Sequence, residues 1–382
     1  MTFSKFGFHS KISDGIAACG YTHPTPIQRE AIPKILQGKD LFGLAQTGTG
    51  KTAAFVLPIL QQLQNGPKKK HRALIISPTR ELAEQTHENI KILAQKTALK
   101  SAVIYGGVSK ASQIRAIRSG AEIIVACPGR LLDLFNCGDI NFQHIEILVL
   151  DEADHMFDKG FLPDIKRIIR QLPVKRQNLV FSATMPKEIK LLAEQILQKP
   201  ITVQINPSRP APTISHALFR VKKEQKTSLL KNIFQQNDMQ RTLVFTRTKH
   251  KAKSLAMQLI KAGFNATSLQ GNLSQNNRQK AMEGFRQGIF TILVATDIAA
   301  RGIDVLGISH VINYDLPDTV ETYTHRTGRT GRADQKGQAY SFVCPDDLKK
   351  IELLEKNMKE KIRQLPLPSV GMKSMGRPAF SL

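Results

Sequence analysis

The sequence predicts two α/β domains in tandem, each a doubly wound parallel sheet flanked by helices. Three observations predict it. Short β-branched runs alternate with segments of helical period along most of the 382 residues. The phosphate-loop pattern Ala45-Gln-Thr-Gly-Thr-Gly-Lys-Thr52 follows one such run and opens a helical segment. The segment Asn206-Pro-Ser-Arg-Pro-Ala-Pro212 places three prolines in seven residues, after which the alternation restarts.

In the first half the strand-like runs are 40–45, 72–77, 102–105, 122–126, 147–150, 178–181 and 201–205. Several are apolar on both faces, as strands inside a parallel sheet must be. Between them lie helical patterns such as Val56, Ile59, Leu60 and Leu63, spaced i, i+3, i+4, i+7. Pro58 falls inside that pattern and is expected to kink or loosen the helix. The prolines after Asn206 can continue neither a helix nor a central strand. Residues 207–213 therefore read as a stiff linker between a domain over 1–206 and a domain over 214–345. In the second domain the runs are 242–246, 266–269, 291–295, 310–314 and 338–343. A charged helical stretch over 346–362 and a Pro/Gly/Ser-rich end make 346–382 a tail outside that domain, disordered at its end.

Composition narrows the function. Hydrophobic residues make up 41% of the chain, enough for two cores. No run approaches the roughly 18–20 apolar residues of a membrane span. The N-terminus lacks an apolar segment before a cleavage site, so a cytoplasmic protein is expected. Cys19, Cys127, Cys137 and Cys344 are scattered without metal-ligand spacing, which suits small buried side chains in a reducing compartment. The net charge is +24, with 27 basic and 17 acidic residues over 1–206 and 28 and 14 over 207–382. A polyanion touching both halves fits that distribution, and so does a generally basic, solvated surface.

The motifs carry the chemistry. In the phosphate loop, Gly48 and Gly50 let successive N–H groups turn inward, with Gln46, Thr47 and Thr49 completing the cradle. Lys51 is placed to reach β/γ-phosphates and Thr52 to ligate Mg²⁺. Ala45 stands where the pattern usually has its first glycine. Ile147-Leu-Val-Leu-Asp-Glu-Ala-Asp154 ends an apolar strand in acids at the edge where α/β sheets bind ligands. There Asp151 is the expected Mg²⁺ ligand, partly through water, and Glu152 the residue that polarises the attacking water. Alone, such an acidic run is usually a solvated helix start. Paired with the phosphate loop it implies Mg·ATP hydrolysis. Further on, Tyr323-Thr-His-Arg-Thr-Gly-Arg-Thr-Gly-Arg332 offers Arg329 and Arg332 to charge on a transferring phosphoryl, or to an RNA backbone.

Together these residues resemble the DEAD-box ATP-dependent RNA helicases of superfamily 2, over about residues 3–343, and most closely the compact bacterial RhlE-like type. The matching segments occur in the family's order. They are Gly20-Tyr-Thr-His-Pro-Thr-Pro-Ile-Gln28, the phosphate loop, Pro78-Thr-Arg-Glu-Leu-Ala83, Gly106-Gly107, Asp151-Glu-Ala-Asp154 and Ser182-Ala-Thr184. Gln275-Asn-Asn-Arg278, Ala295-Thr-Asp-Ile-Ala-Ala-Arg-Gly-Ile-Asp304 and His325–Arg332 follow. The resemblance implies two tandem RecA-like domains. It implies that Gln28 reads adenine, that Phe3 stacks on it, and that Gly302 and Asp304 reach the nucleotide from the second domain. Asp154, Ser182, Thr184 and His325 are implied to couple ATP state to domain closure. RNA is implied to contact Thr79, Arg80, Gly106, Gly107, Gly129, Arg130, Gly271, Thr296 and Asp297, through phosphate and sugar and so without regard to sequence. The motif that usually begins Thr-Pro here begins Cys127-Pro128, which removes a hydroxyl from that set; Thr327 replaces the common Ile of the last motif.

Two readings of the activity share these motifs. One is local separation of short duplexes, or remodelling of RNA–protein complexes, by ATP-driven closure on RNA. The other is an ATP-gated RNA clamp or annealing factor with little unwinding. A monomer is expected, with ribosome-assembly and RNA-decay proteins as the candidate partners and no membrane.

Overall fold

The computed structural model of the chain describes residues 1–46, 48–205, 214–236, 239–300, 305, 307–331, 336–358 and 360–368. The chain divides into two compact units, Met1–Pro207 and Ser208–Leu382. The expected linker at 207–213 lies outside the described residues.

The first unit holds seven strands: β1 Leu41–Leu44, β2 Ala73–Ile76, β3 Ser101–Ile104, β4 Ile123–Ala126, β5 Ile147–Leu150, β6 Gln177–Ser182 and β7 Ile201–Gln204. They form one sheet in the order β3-β4-β2-β5-β6-β1-β7. Every pairing is parallel, with Leu41 opposite Leu179 and Ala73 opposite Ile147. Successive residues face opposite sides, as strand geometry requires. Ala73, Ile75, Ile147 and Val149 therefore enter one core, while Leu74, Ile76, Leu148 and Leu150 enter the other. Each fully buried aliphatic side chain of this kind stabilises by about 1.5–3 kcal/mol. Burial on both faces is why these runs read as continuous apolar segments.

Two helices in this unit carry proline beyond their first turn. Pro58 stands inside Lys51–Leu63, which continues through it, and Pro33 stands inside Pro26–Leu36. Pro58 lacks the N–H that would bond Ala54, but the surrounding face is fully buried, and packing holds the helix where intrinsic propensity does not. Gly43 in β1 is there for space: a Cβ would lie 2.6 Å from the Phe181 ring, which packs against Phe55 at 5.3 Å between centroids.

The second unit has strands β8 Ile214–Arg220, β9 Thr242–Phe245, β10 Ala266–Leu269, β11 Ile292–Ala295, β12 His310–Asn313, β13 Gly337–Val343 and β14 Arg363–Gln364. Their order is β10-β11-β9-β12-β13-β8-β14, again parallel. The stretch after 345, expected as a separate tail, belongs to this unit as far as 368. Its helix Leu348–Met358 buries Ile351 and Leu354 with Leu218, Tyr323 and Val343. β14 then adds to the sheet beside β8, and Leu365 N–H donates to Leu218 O. Among the described residues, no helix is long and apolar enough to cross a membrane.

Candidate active site

The phosphate loop joins β1 to the helix Lys51–Leu63. Gly48 and Gly50 have φ of 85° and 90°, values that L side chains rarely adopt. The Thr49 hydroxyl donates to Gln46 O at 2.7 Å, and Lys51 Nζ donates to Ala45 O at 2.8 Å. Ala45 N–H continues the sheet ladder onto Ser182 O, so the loop hangs directly from β6. Thr47 lies outside the described residues.

Gln28 braces the loop from outside. Its Oε1 accepts from Thr25 N at the start of the helix Pro26–Leu36, and its Nε2 donates to Gly50 O at 3.0 Å. A Cβ on Gly50 would lie 2.5 Å from that Nε2. The carboxamide keeps one N–H and one lone pair beyond these two bonds, which are what a base edge would use. Phe3 is packed against the core, 6% exposed, with its ring stacked on Tyr21.

Asp151 follows β5 and is 2% exposed. Burial pushes its carboxyl up to about 7, opposed by the Lys51 ammonium and reinforced by Glu152. Its Oδ1 is buried with no hydrogen-bond partner. A desolvated carboxylate oxygen with no donor, beside a phosphate loop, fits a hard cation such as Mg²⁺. Glu152 takes the left-handed conformation, φ 52° and ψ 55°, at a cost of about 1–3 kcal/mol. That strain re-aims the chain at the strand end. His155 Nδ1 stands 3.4 Å from Glu152 Oε2, both side chains being buried.

Asp154 is tied to the Ser182-Ala-Thr184 segment. Its Oδ2 accepts from Thr184 N–H at 3.0 Å and from the Thr184 hydroxyl at 2.9 Å. The Ser182 hydroxyl donates to Thr184 O at 2.6 Å and accepts from Asp154 N at 3.3 Å. The phosphate loop, the acidic element and this segment thus form one hydrogen-bonded edge across β1, β6 and β5.

At the carboxyl ends of β2, β3 and β4 the structure gathers the other first-unit residues. Thr79 caps the helix Arg80–Ala94, its hydroxyl accepting from Leu82 N–H. The Arg80 guanidinium lies against Gly107, where a Cβ would come within 2.2 Å of it. Arg130 donates to Val108 O at 3.2 Å and pairs with Asp133, so it ties its helix to the glycine loop. Gly129 has open space around its Cα. Burial pushes the neighbouring Cys127 thiol up to about 12, which makes it unreactive near neutrality.

In the second unit, Gly271 and Thr296 follow β10 and β11, and Gly271 is open. Both oxygens of Asp297 accept from Arg326, which fixes the partly exposed carboxylate at the end of β11. Arg329 is 4% exposed and its Nε donates to His325 O. His325 and Arg329 stand on the second unit and Asp154 on the first. Gly302, Asp304 and Arg332 lie outside the described residues.

Comparison with known proteins now decides the family. The DEAD/DEAH box helicase model matches residues 25–192 and the helicase conserved C-terminal domain model matches residues 225–334. This chain belongs to the DEAD-box ATP-dependent RNA helicase family. It is 42% identical over 368 residues to the ATP-dependent RNA helicase CshA of Limosilactobacillus reuteri, covering 96% of this chain and 73% of that protein. It is 40% identical to the DEAD-box ATP-dependent RNA helicase RhpA of Helicobacter pylori, over 97% of this chain and 75% of that one. Among solved structures it resembles S. cerevisiae Dbp5 bound to RNA and ADP BeF3, at 31% identity, with a TM-score of 0.88 and 96% of both chains covered. The DEAD-box fold of tandem RecA-like domains accounts for both parallel sheets.

Proposed function

We propose that this chain is an RNA-stimulated, cytoplasmic ATPase that closes its two domains on RNA when it binds Mg·ATP and separates short duplexes locally. The observation that carries this reading is the joined edge of the first unit, where Lys51 bonds the phosphate loop, its charge acts on buried Asp151, and Asp154 is bonded to Thr184.

The chain's own groups have distinct tasks. The backbone of residues 46–50 and the Lys51 ammonium bind the phosphate chain. Thr52 and Asp151 would hold Mg²⁺, which would neutralise phosphate charge when bound. Glu152 orients the attacking water and takes up its proton. Asp304, Arg329 and Arg332 complete the site from the second unit, and His325 reports its arrival to Asp154. Thr79, Arg80, Gly106, Gly107, Gly129, Arg130, Gly271 and Thr296 contact the RNA backbone. Such contacts leave the sequence unread, while the ribose 2′-OH distinguishes RNA from DNA. ATP and RNA each favour the closed arrangement, so each raises the other's affinity.

A duplex-release assay tests the proposal. Loss of a short RNA duplex that requires ATP supports strand separation. ATP-dependent RNA retention with no duplex loss supports the clamp instead. Glu152→Gln should trap the RNA-bound form in either case, because it removes the proton acceptor and spares binding.

A further inference from the structure

The second sheet repeats the first strand for strand. β8 takes the place of β1, β9 that of β2, β12 that of β5 and β13 that of β6, and even the outermost β14 matches β7. In the first unit the carboxyl ends of β1, β5 and β6 carry the phosphate loop, the acidic element and Ser182-Ala-Thr184. The matching edge of the second unit has a cleft of about 770 Å³, lined by residues that follow β8, β9, β12 and β13. Open α/β sheets bind ligands outside these strand ends.

The correspondence extends to side chains. Lys226 opens the helix Lys226–Gln236 after β8, as Lys51 opens its helix after β1. Its side chain is 5% exposed; Nζ donates to Tyr314 O at 2.7 Å and lies 3.5 Å from Asp315 Oδ1, just past β12. A buried lysine and a strand-end aspartate thus survive at the second edge. The glycines do not: Val221-Lys-Lys-Glu-Gln-Lys226 has none, so no cradle of N–H groups forms there. Any phosphate in this cleft is held by side chains.

The charges in the cleft are unevenly matched. Six cationic side chains line it, Lys222, Lys223, Lys226, Arg247, Lys251 and Lys350, against four carboxylates, Glu224, Asp315, Asp346 and Asp347. Asp315 Oδ2 accepts from Arg247 N–H and Asp347 from Cys344 N–H. Among the described residues, no ion pair involves Lys222, Lys223 or Lys251, and the Lys251 ammonium stands 5.1 Å from the Tyr314 ring centroid. The cationic excess over the carboxylates of the same lining favours an anion in the cleft.

We propose that this cleft of the second unit binds a small anion bearing several phosphates, through Lys222, Lys223 and Lys251, at a site separate from the phosphate loop. Its charge would match the three lysines, and the cleft is far larger than a single phosphate. The proposal stands on the second unit alone and survives or fails independently of the ATPase reading.

Cys344 lines the cleft and reports on it. The full chain is alkylated with iodoacetamide with and without inorganic tripolyphosphate, and each cysteine peptide is quantified by mass spectrometry, with exposed Cys137 as the internal control. Tripolyphosphate is expected to slow alkylation of Cys344 and spare Cys137. In the Lys222→Gln, Lys223→Gln, Lys251→Gln variant, half-protection should need about tenfold or more tripolyphosphate, with the unfolding midpoint and basal ATPase rate unchanged. ATP protecting as well as tripolyphosphate would show that the phosphate chain is what binds; ATP protecting better would assign the cleft to nucleotides. An unchanged Cys344 rate in the wild type, protection that survives the three substitutions, or protection by an RNA oligonucleotide alone would overturn the proposal.

Discussion

Arg326 and Asp297 meet through two parallel hydrogen bonds, Nε to Oδ1 at 2.6 Å and Nη2 to Oδ2 at 2.7 Å. The same guanidinium donates to Asn313 Oδ1 and Asp315 O and lies 4.9 Å from the Phe245 ring centroid. One buried side chain therefore joins β9, β12, the start of the helix Asp297–Ala300 and the helix Val320–Thr327. A lysine supplies the charge without the planar fork. Arg326→Lys is expected to lower the unfolding free energy by about 1–3 kcal/mol, because buried Asn313 loses its donor while the partly exposed Asp297 loses one of two parallel bonds. Denaturant unfolding checks it, and a wild-type midpoint would contradict the assignment.

Asp151 makes stability depend on pH. Burial raises its folded-state carboxyl from an ordinary 3.8 to about 7, so the folded chain keeps a proton that the unfolded chain has released. The stability this group contributes is fully present below about pH 4 and lost as pH rises through about 7. Asp151→Asn stays neutral throughout. Without nucleotide and with a chelator present, it should be more stable than the wild type at pH 8, by up to a few kcal/mol, and equal to it near pH 4. Thermal unfolding at both pH values decides; a gap independent of pH would contradict the shift.

Gly107 stands against Arg80 at the edge of the first unit proposed to hold RNA. It has φ 83°, and an added methyl would meet the Arg80 guanidinium at 2.2 Å. Gly107→Ala must strain the backbone and displace Arg80 together. RNA affinity is expected to fall about tenfold or more, with RNA-free ATP hydrolysis unchanged, since neither residue touches the phosphate loop. Filter binding together with an RNA-free ATPase assay separates the two effects.

Thr184 gives two of the bonds on Asp154, one from its backbone and one from its hydroxyl. Thr184→Ala removes only the second, worth about 1 kcal/mol. Basal ATP hydrolysis should fall no more than a few-fold, while strand release per ATP consumed falls further. Equal loss in both would make Thr184 a structural residue only.

Much of this was legible in the sequence, for definite reasons. Ile147-Leu-Val-Leu150 is buried on both faces, so it reads as a strand with its observed bounds. β8 was missed because Ser215 and His216 interrupt its apolar residues directly after the prolines. β14 is two exposed polar residues, Arg363 and Gln364, held only by pairing with β8. The motifs located the phosphate loop and the acids because their chemistry needs particular side chains at short spacing. Contacts between distant polar residues leave no such trace. Gln28 on Gly50, Arg80 against Gly107 and Arg326 on Asp297 each look like ordinary surface chemistry until the fold brings them together. The stack of Phe3 on Tyr21 is likewise invisible to aromatic spacing.

The central claim is that RNA and ATP act on one closed state. Its most direct test is the rate of ATP hydrolysis by the full chain with a single-stranded RNA and with the DNA strand of the same sequence. The account predicts strong stimulation by RNA, little by DNA, and none by either in Glu152→Gln. Equal stimulation by the two strands, or no response to RNA, would contradict it.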